Sequence, residues 1–203
     1  EAPPLNNQQR NELEEWLEFN SDQPAGALNQ AQYALAQGKA EQVEFWADRM
    51  VDYDPSQEPT LLAARLSHAS GNLERAMKRL ETAVTEEPEF AEAWFVLGML
   101  RGETSDLPGA MDAFRRVVVT DPEHGRAWYN LGLAHVQTGN QDAGIIALQK
   151  AEVFSDSTAD AAYALATVYL QNNEPQKARE AIDRALKANP RHGPSLQLKR
   201  SLR

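Results

Sequence analysis

Apolar residues return at helical spacing from near the start of the chain. Leu13, Trp16 and Leu17 fall at i, i+3 and i+4, one stripe of a helix over residues 8–19 within a leading segment 7–23. Residues 1–6, with Pro3 and Pro4, read as a tail. Ser21-Asp22-Gln23-Pro24 stops that helix and opens the next, because proline lacks only an N–H that a first turn leaves unused. From there one unit recurs: two apolar stripes joined by a short turn. The turns are Gly38-Lys39, Gly71-Asn72, Ser105-Asp106, Gly139-Asn140 and Asn173-Glu174. Gly or Asn closes a first helix in a left-handed conformation, and Asn or Asp caps a second.

The recurrence has a fixed length. Ala91-Glu92-Ala93-Trp94-Phe95-Val96-Leu97-Gly98 returns as Gly125-Arg126-Ala127-Trp128-Tyr129-Asn130-Leu131-Gly132 after a shift of 34 residues. Further on, Ala110 answers to Gly144 and Phe114 to Leu148. Windows 57–90, 91–124, 125–158 and 159–192 keep this frame, with Pro88, Pro122 and Pro190 near their ends and Asp156 where window 125–158 would have its proline. Window 24–56 is one residue shorter, closes at Pro55 and carries Gln30-Ala31 in place of Leu-Gly. A period of this size is the mark of helical hairpins that bury their apolar faces only by stacking. Residues 193–203, with Leu196, Leu198 and Leu202 among bases, read as a short helix capping the exposed end of the stack.

This arrangement resembles the tetratricopeptide repeat family. Trp94, Leu97, Gly98, Ala110, Phe114 and Pro122 fill the family signature in one window, and Trp128, Leu131, Gly132, Leu148 and Ala151 fill it in the next. Leu165, Ala166, Tyr169, Ala178, Ile182, Ala185 and Pro190 do so on one side of these, and Ala63, Ala64, Ala76, Leu80, Ala83 and Pro88 on the other. The resemblance implies an all-α fold, a right-handed superhelix (solenoid) of about five helix-turn-helix pairs over residues 24–192. It also implies a protein–protein interaction scaffold without catalysis of its own, with the first helix of each pair lining the concave side. The outward places there hold Leu61, Arg65, Phe95, Met99, Arg126, Tyr129, Asn130, Leu133, Tyr163 and Thr167, the expected contacts of a partner peptide or protein segment. Asn130 stands where some family members clamp a C-terminal carboxylate, but the other clamp residues are missing. A segment with apolar anchors, steered by Arg65 and Arg126, is the expected occupant.

A second resemblance concerns residues 14–24. Glu14-Glu15-Trp16-Leu17 running to Asp22-Gln23-Pro24 ahead of the repeats is similar to the repeat tails of periplasmic multihaem cytochromes. It implies the tail of a larger redox protein, although the chain has no cysteine and hence no haem-attachment motif of its own.

Composition narrows the chemistry. The absence of cysteine also removes disulfides, thiol catalysis and thiolate metal sites. A net charge of −10 argues against a general nucleic-acid binder. The charge is uneven: residues 1–60 carry 12 acids and 3 bases, residues 175–203 carry 8 bases and 2 acids. That asymmetry suits head-to-tail contact between copies, so a self-associating structural unit is the alternative reading. None of His68, His124, His135 and His192 forms a metal-ligand spacing on one helix. His135 falls on a core stripe, His124 and His192 fall at window ends in solvent, and the carboxylates fall on exposed helix faces. No metal, cofactor, catalytic group or membrane span is expected. The first residue, Glu1, is read as a processed end or the start of a piece. A periplasmic or secreted location is the expectation, with a cytoplasmic one as the alternative.

Overall fold

The structure, a computed structural model, describes residues 24–154 and 158–202. The tail, the leading helix and Asp156 lie outside the described residues, as does the segment carrying the cytochrome resemblance except for Pro24. The described residues form eleven α-helices and no strand. Five pairs come in order: α1 Pro24–Ala36 with α2 Ala40–Tyr53, and α3 Gln57–Ala69 with α4 Leu73–Glu86. Next are α5 Ala91–Glu103 with α6 Leu107–Thr120, and α7 Gly125–Gln137 with α8 Gln141–Phe154. Last come α9 Thr158–Gln171 with α10 Pro175–Ala188, and a single α11 Gly193–Ser201. None of these helices is long and apolar enough to cross a membrane.

The turn inside each pair is the same device five times. Its first residue has a positive φ: Gly38 (69°), Gly71 (86°), Ser105 (64°), Gly139 (81°) and Asn173 (58°). The next N–H reaches back to a carbonyl five residues earlier, from Lys39 to Ala34, Asn72 to Ser67, Asp106 to Arg101, Asn140 to His135 and Glu174 to Tyr169, at 2.8–3.0 Å. This is the Schellman closure, which satisfies carbonyls that a helix end leaves free. Asn72, Asp106 and Asn140 then accept from an N–H three residues on and cap the second helix, whereas Lys39 and Glu174 make no such bond.

Each pair closes on small side chains. A Cβ on Gly98 would stand 2.8 Å from the Phe114 ring, and one on Gly132 would stand 2.7 Å from Leu148 Cγ. Ala64, Ala76, Ala110, Ala166 and Ala178 fill the corresponding places and are buried. In the shortened first window Ala31 and Val43 meet there, both without exposure, so that pair packs despite lacking Leu-Gly.

The chain divides into two compact units, up to Ala93 and from Trp94 onward. The first has a core of Ala27, Ala31, Val43, Ala47, Met50, Ala63 and Leu66. The second holds Leu148, Leu165, Val168, Tyr169 and Ile182, with Leu198 and Leu202 packed against them. The last two residues tie α11 to that core.

Candidate functional site

In the first unit, Leu61 of α3 is half-buried and Arg65 is exposed. Arg65 is already engaged: its guanidinium donates to Glu92 Oε1 at 2.8 Å. On the second-helix side of this unit lies a groove of about 710 Å³, lined by Asp48, Asp52, Arg75, Lys78, Glu87 and Phe90 among others. Paired with two arginines of that lining, Glu44 is 5% exposed, contrary to the expectation that the carboxylates stand on solvated faces. Its carboxylate accepts from Ser67 Oγ (3.0 Å) and pairs with Arg75 Nε (3.2 Å) and Arg79 Nη2 (3.0 Å). Asp48 holds the same two guanidinium groups from the other side. The two acids and the two guanidinium groups of this cluster thus neutralise one another. Window position gave no sign of this cluster, because it depends on cations supplied by α4 to an acid on α2.

The second unit holds the other eight predicted residues, and it treats them unequally. Phe95 corrects the sequence reading: it is 2% exposed and is not a surface contact. Its ring lies 5.9 Å from that of Phe114 and 4.8 Å from that of His124, and the Arg126 guanidinium covers it at 4.8 Å. Phe114 and His124 come from the far part of the same window and Arg126 from the next, and the place of Phe95 on its own helix does not reveal that they converge on it. Met99 and Leu133 are exposed, at 46% and 37%. Tyr129, Asn130, Tyr163 and Thr167 are half-buried. The Thr167 hydroxyl is spent on its own helix, donating to the Ala164 carbonyl at 2.7 Å. Tyr129 packs against the core built from α9 and α10. Burial, then the nearby Asp160 carboxylate and Tyr163, push the Tyr129 phenol up, so it keeps its proton and stays a hydrogen-bond donor.

Two histidines expected in solvent prove structural. His124 and His192 occupy the same place in two windows, each just before a helix. His124 Nδ1 accepts from the Ala127 N–H at 3.1 Å and caps α7. His192 Nδ1 lies 2.7 Å from Ser195 Oγ, its Nε2 lies 3.0 Å from Asp160 Oδ1, and its ring meets Tyr163 edge-on at 5.6 Å. A carboxylate only accepts, so Nε2 carries a proton toward Asp160. The order serine–histidine–aspartate is that of a hydrolase triad, but Ser195 has no exposure and cannot meet a substrate. The chain of bonds fastens α11 to α9 instead. His135 is half-buried with its Nδ1 enclosed, and burial, then Arg115, hold it below the ordinary imidazole value. No group of three or more His, Asp or Glu among the described residues is placed to hold a metal ion.

What these helices present is therefore a face: exposed apolar tips, phenols, a stacked guanidinium and a carboxylate. Comparisons with known proteins agree with the architecture. Among curated proteins none matches the chain. Of solved structures, MamA aligns with a TM-score of 0.70 at 20% identity over 79% of this chain and 95% of its own. YrrB, described as a TPR protein with an unusual peptide-binding site, aligns at 0.68 and 19% identity over 92% and 96%. A thermophilic TPR protein of Thermus thermophilus aligns at 0.59 and 18% over 88% and 98%. At these identities the likeness is one of fold. The tetratricopeptide repeat family itself matches residues 61–121, 100–162 and 159–192. With the helical hairpins, their left-handed turns and their slim crossings all in that register, the chain belongs to the tetratricopeptide repeat family of interaction scaffolds.

Proposed function

We propose that the protein binds a peptide or protein segment on the first-helix face of its second unit, formed by α5, α7 and α9. The observation that carries this reading is a set of outward groups at recurring places of the repeat: the ninth for Met99 and Leu133, the fifth for Tyr129 and Tyr163, the second for Arg126. Met99 and Leu133 offer exposed apolar area, and Tyr129 and Tyr163 offer half-buried phenols. Arg126 offers a guanidinium fixed over Phe95. Aromatic, methionine and arginine side chains are the types that concentrate binding energy at interfaces. Phe95 acts from below by holding Arg126, and Arg65, closed by Glu92, is not a main contact. YrrB, of the same fold, is described by its peptide-binding site.

A library of random short peptides displayed and selected on the full chain tests this. The chain is expected to enrich a family of related peptides, and Tyr129→Ala combined with Leu133→Ala to release them while the melting temperature barely moves. Equal retention by the double variant, or no enrichment at all, defeats the reading.

A second reading is self-association, favoured by the exposed bases Lys187, Arg191 and Arg200 at one end of a chain whose first 60 residues are acidic. It requires a larger sedimenting species that dissociates as salt is raised.

A further inference from the structure

The face proposed above carries two unlike charges one repeat apart. Arg126 and Asp160 occupy the same place in successive windows, in the first turns of α7 and α9. Arg126 is exposed, its guanidinium rests at 4.8 Å on the Phe95 ring, and among the described residues no carboxylate lies within salt-bridge distance. Phe95 is itself packed against Phe114 and His124, so the cation rests on a fixed ring. Asp160 is the opposite case. Its side chain is 53% exposed, and one oxygen is anchored by His192 Nε2 at 3.0 Å. A carboxylate has acceptor capacity well beyond one bond. The ring of Tyr163, braced on His192, flanks it, and Tyr129 stands close by on the neighbouring helix. A carboxylate beside two phenols suits a lysine or arginine head, which gains a charge-assisted bond and ring contact together. The equivalent acid in α5, Glu92, is already closed by Arg65.

We infer that this face reads a charge pair: an acidic and a basic side chain of the bound segment, in one fixed order, with the acid on Arg126 and the base on Asp160. The inference rests on the peptide-binding reading above. The Arg126 guanidinium rests on Phe95 of α5, and the Asp160 carboxylate is bonded to His192 ahead of α11. Separate residues of one extended segment running along the face therefore meet the two charges, in an order set by the order of the helices.

Sequencing the selected peptides is the test. Peptides enriched by the unaltered chain carry an acid and a base at one constant spacing and in one fixed order. Arg126→Glu weakens the best of them by about tenfold or more, as loss of a charge pair requires. Replacing the peptide's acid by lysine restores binding to Arg126→Glu but weakens binding to the unaltered chain. Arg126 is exposed, so this variant keeps its fold; Asp160→Asn, which keeps an acceptor for His192 Nε2, selects peptides that retain the acid and lose the base. An enriched pool without the charge pair, or no rescue by the lysine peptide, overturns the inference and leaves peptide binding standing. A failure to enrich any peptide overturns both.

Discussion

At the scale of single residues the fold is held by what is missing. Gly132 leaves room for Leu148 to seat against the backbone of α7, where an added Cβ would come within 2.7 Å of Leu148 Cγ and 3.1 Å of its main-chain nitrogen. The backbone nitrogen cannot swing aside, so Gly132→Ala is expected to cost about 1–3 kcal/mol by overpacking. Gly102, in the last turn of α5, has nothing within 4 Å of the same added atom. There the ordinary helix preference for alanine decides, and Gly102→Ala should stabilise by about 0.5–1 kcal/mol. Urea midpoints of the two variants should thus move in opposite directions; a common direction would mean that the glycines serve something other than the crossing. This pair also shows what sequence conveys. Gly132 stands in a repeat frame and its purpose is readable there. Phe95 stands in the same frame, yet its burial is not, because His124 and Arg126, which cover it, belong to other stretches of chain.

At the scale of helices the unforeseen feature is the ionic cluster joining α2, α3 and α4. Glu44 is buried, and Arg79 keeps only 11% of its side chain exposed, with its Nε left without a partner. Removing one member of such a pair strands the other. Glu44→Ala is expected to destabilise by about 3 kcal/mol, the low end for a buried pair, since Asp48 still holds Arg79 and Arg75. Replacing both Glu44 and Arg79 by methionine should recover most of that loss, as apolar substitutes for buried pairs commonly do. Denaturant unfolding of the single and double variants settles it: a double variant no better than Glu44→Ala would mean that the cluster binds the three helices in a way packing cannot replace. Helix limits and turns were legible because glycine, asparagine and proline punctuate the backbone locally. The burial of Glu44 was not, because it depends on two arginines from a later helix and leaves no periodic trace.

At the scale of the whole molecule, a chain of repeats has no single centre. Its stability is close to a sum of terms within each hairpin and between neighbours. The cores reflect this: one is built from α1, α2 and α3, another from α8, α9 and α10, with no residue in common. An injury to the ionic cluster should therefore remain near its origin. Hydrogen exchange followed by mass spectrometry is expected to show Glu44→Ala raising the exchange of α2, α3 and α4. The amides of α9 and α10, sealed by Leu165, Val168 and Ile182, should keep their protection. A uniform rise along the chain would instead mean that the repeats open as one cooperative body. In that case a peptide held on α7 and α9 would also protect α2, so the same measurement decides whether partner binding is felt only locally or throughout the array.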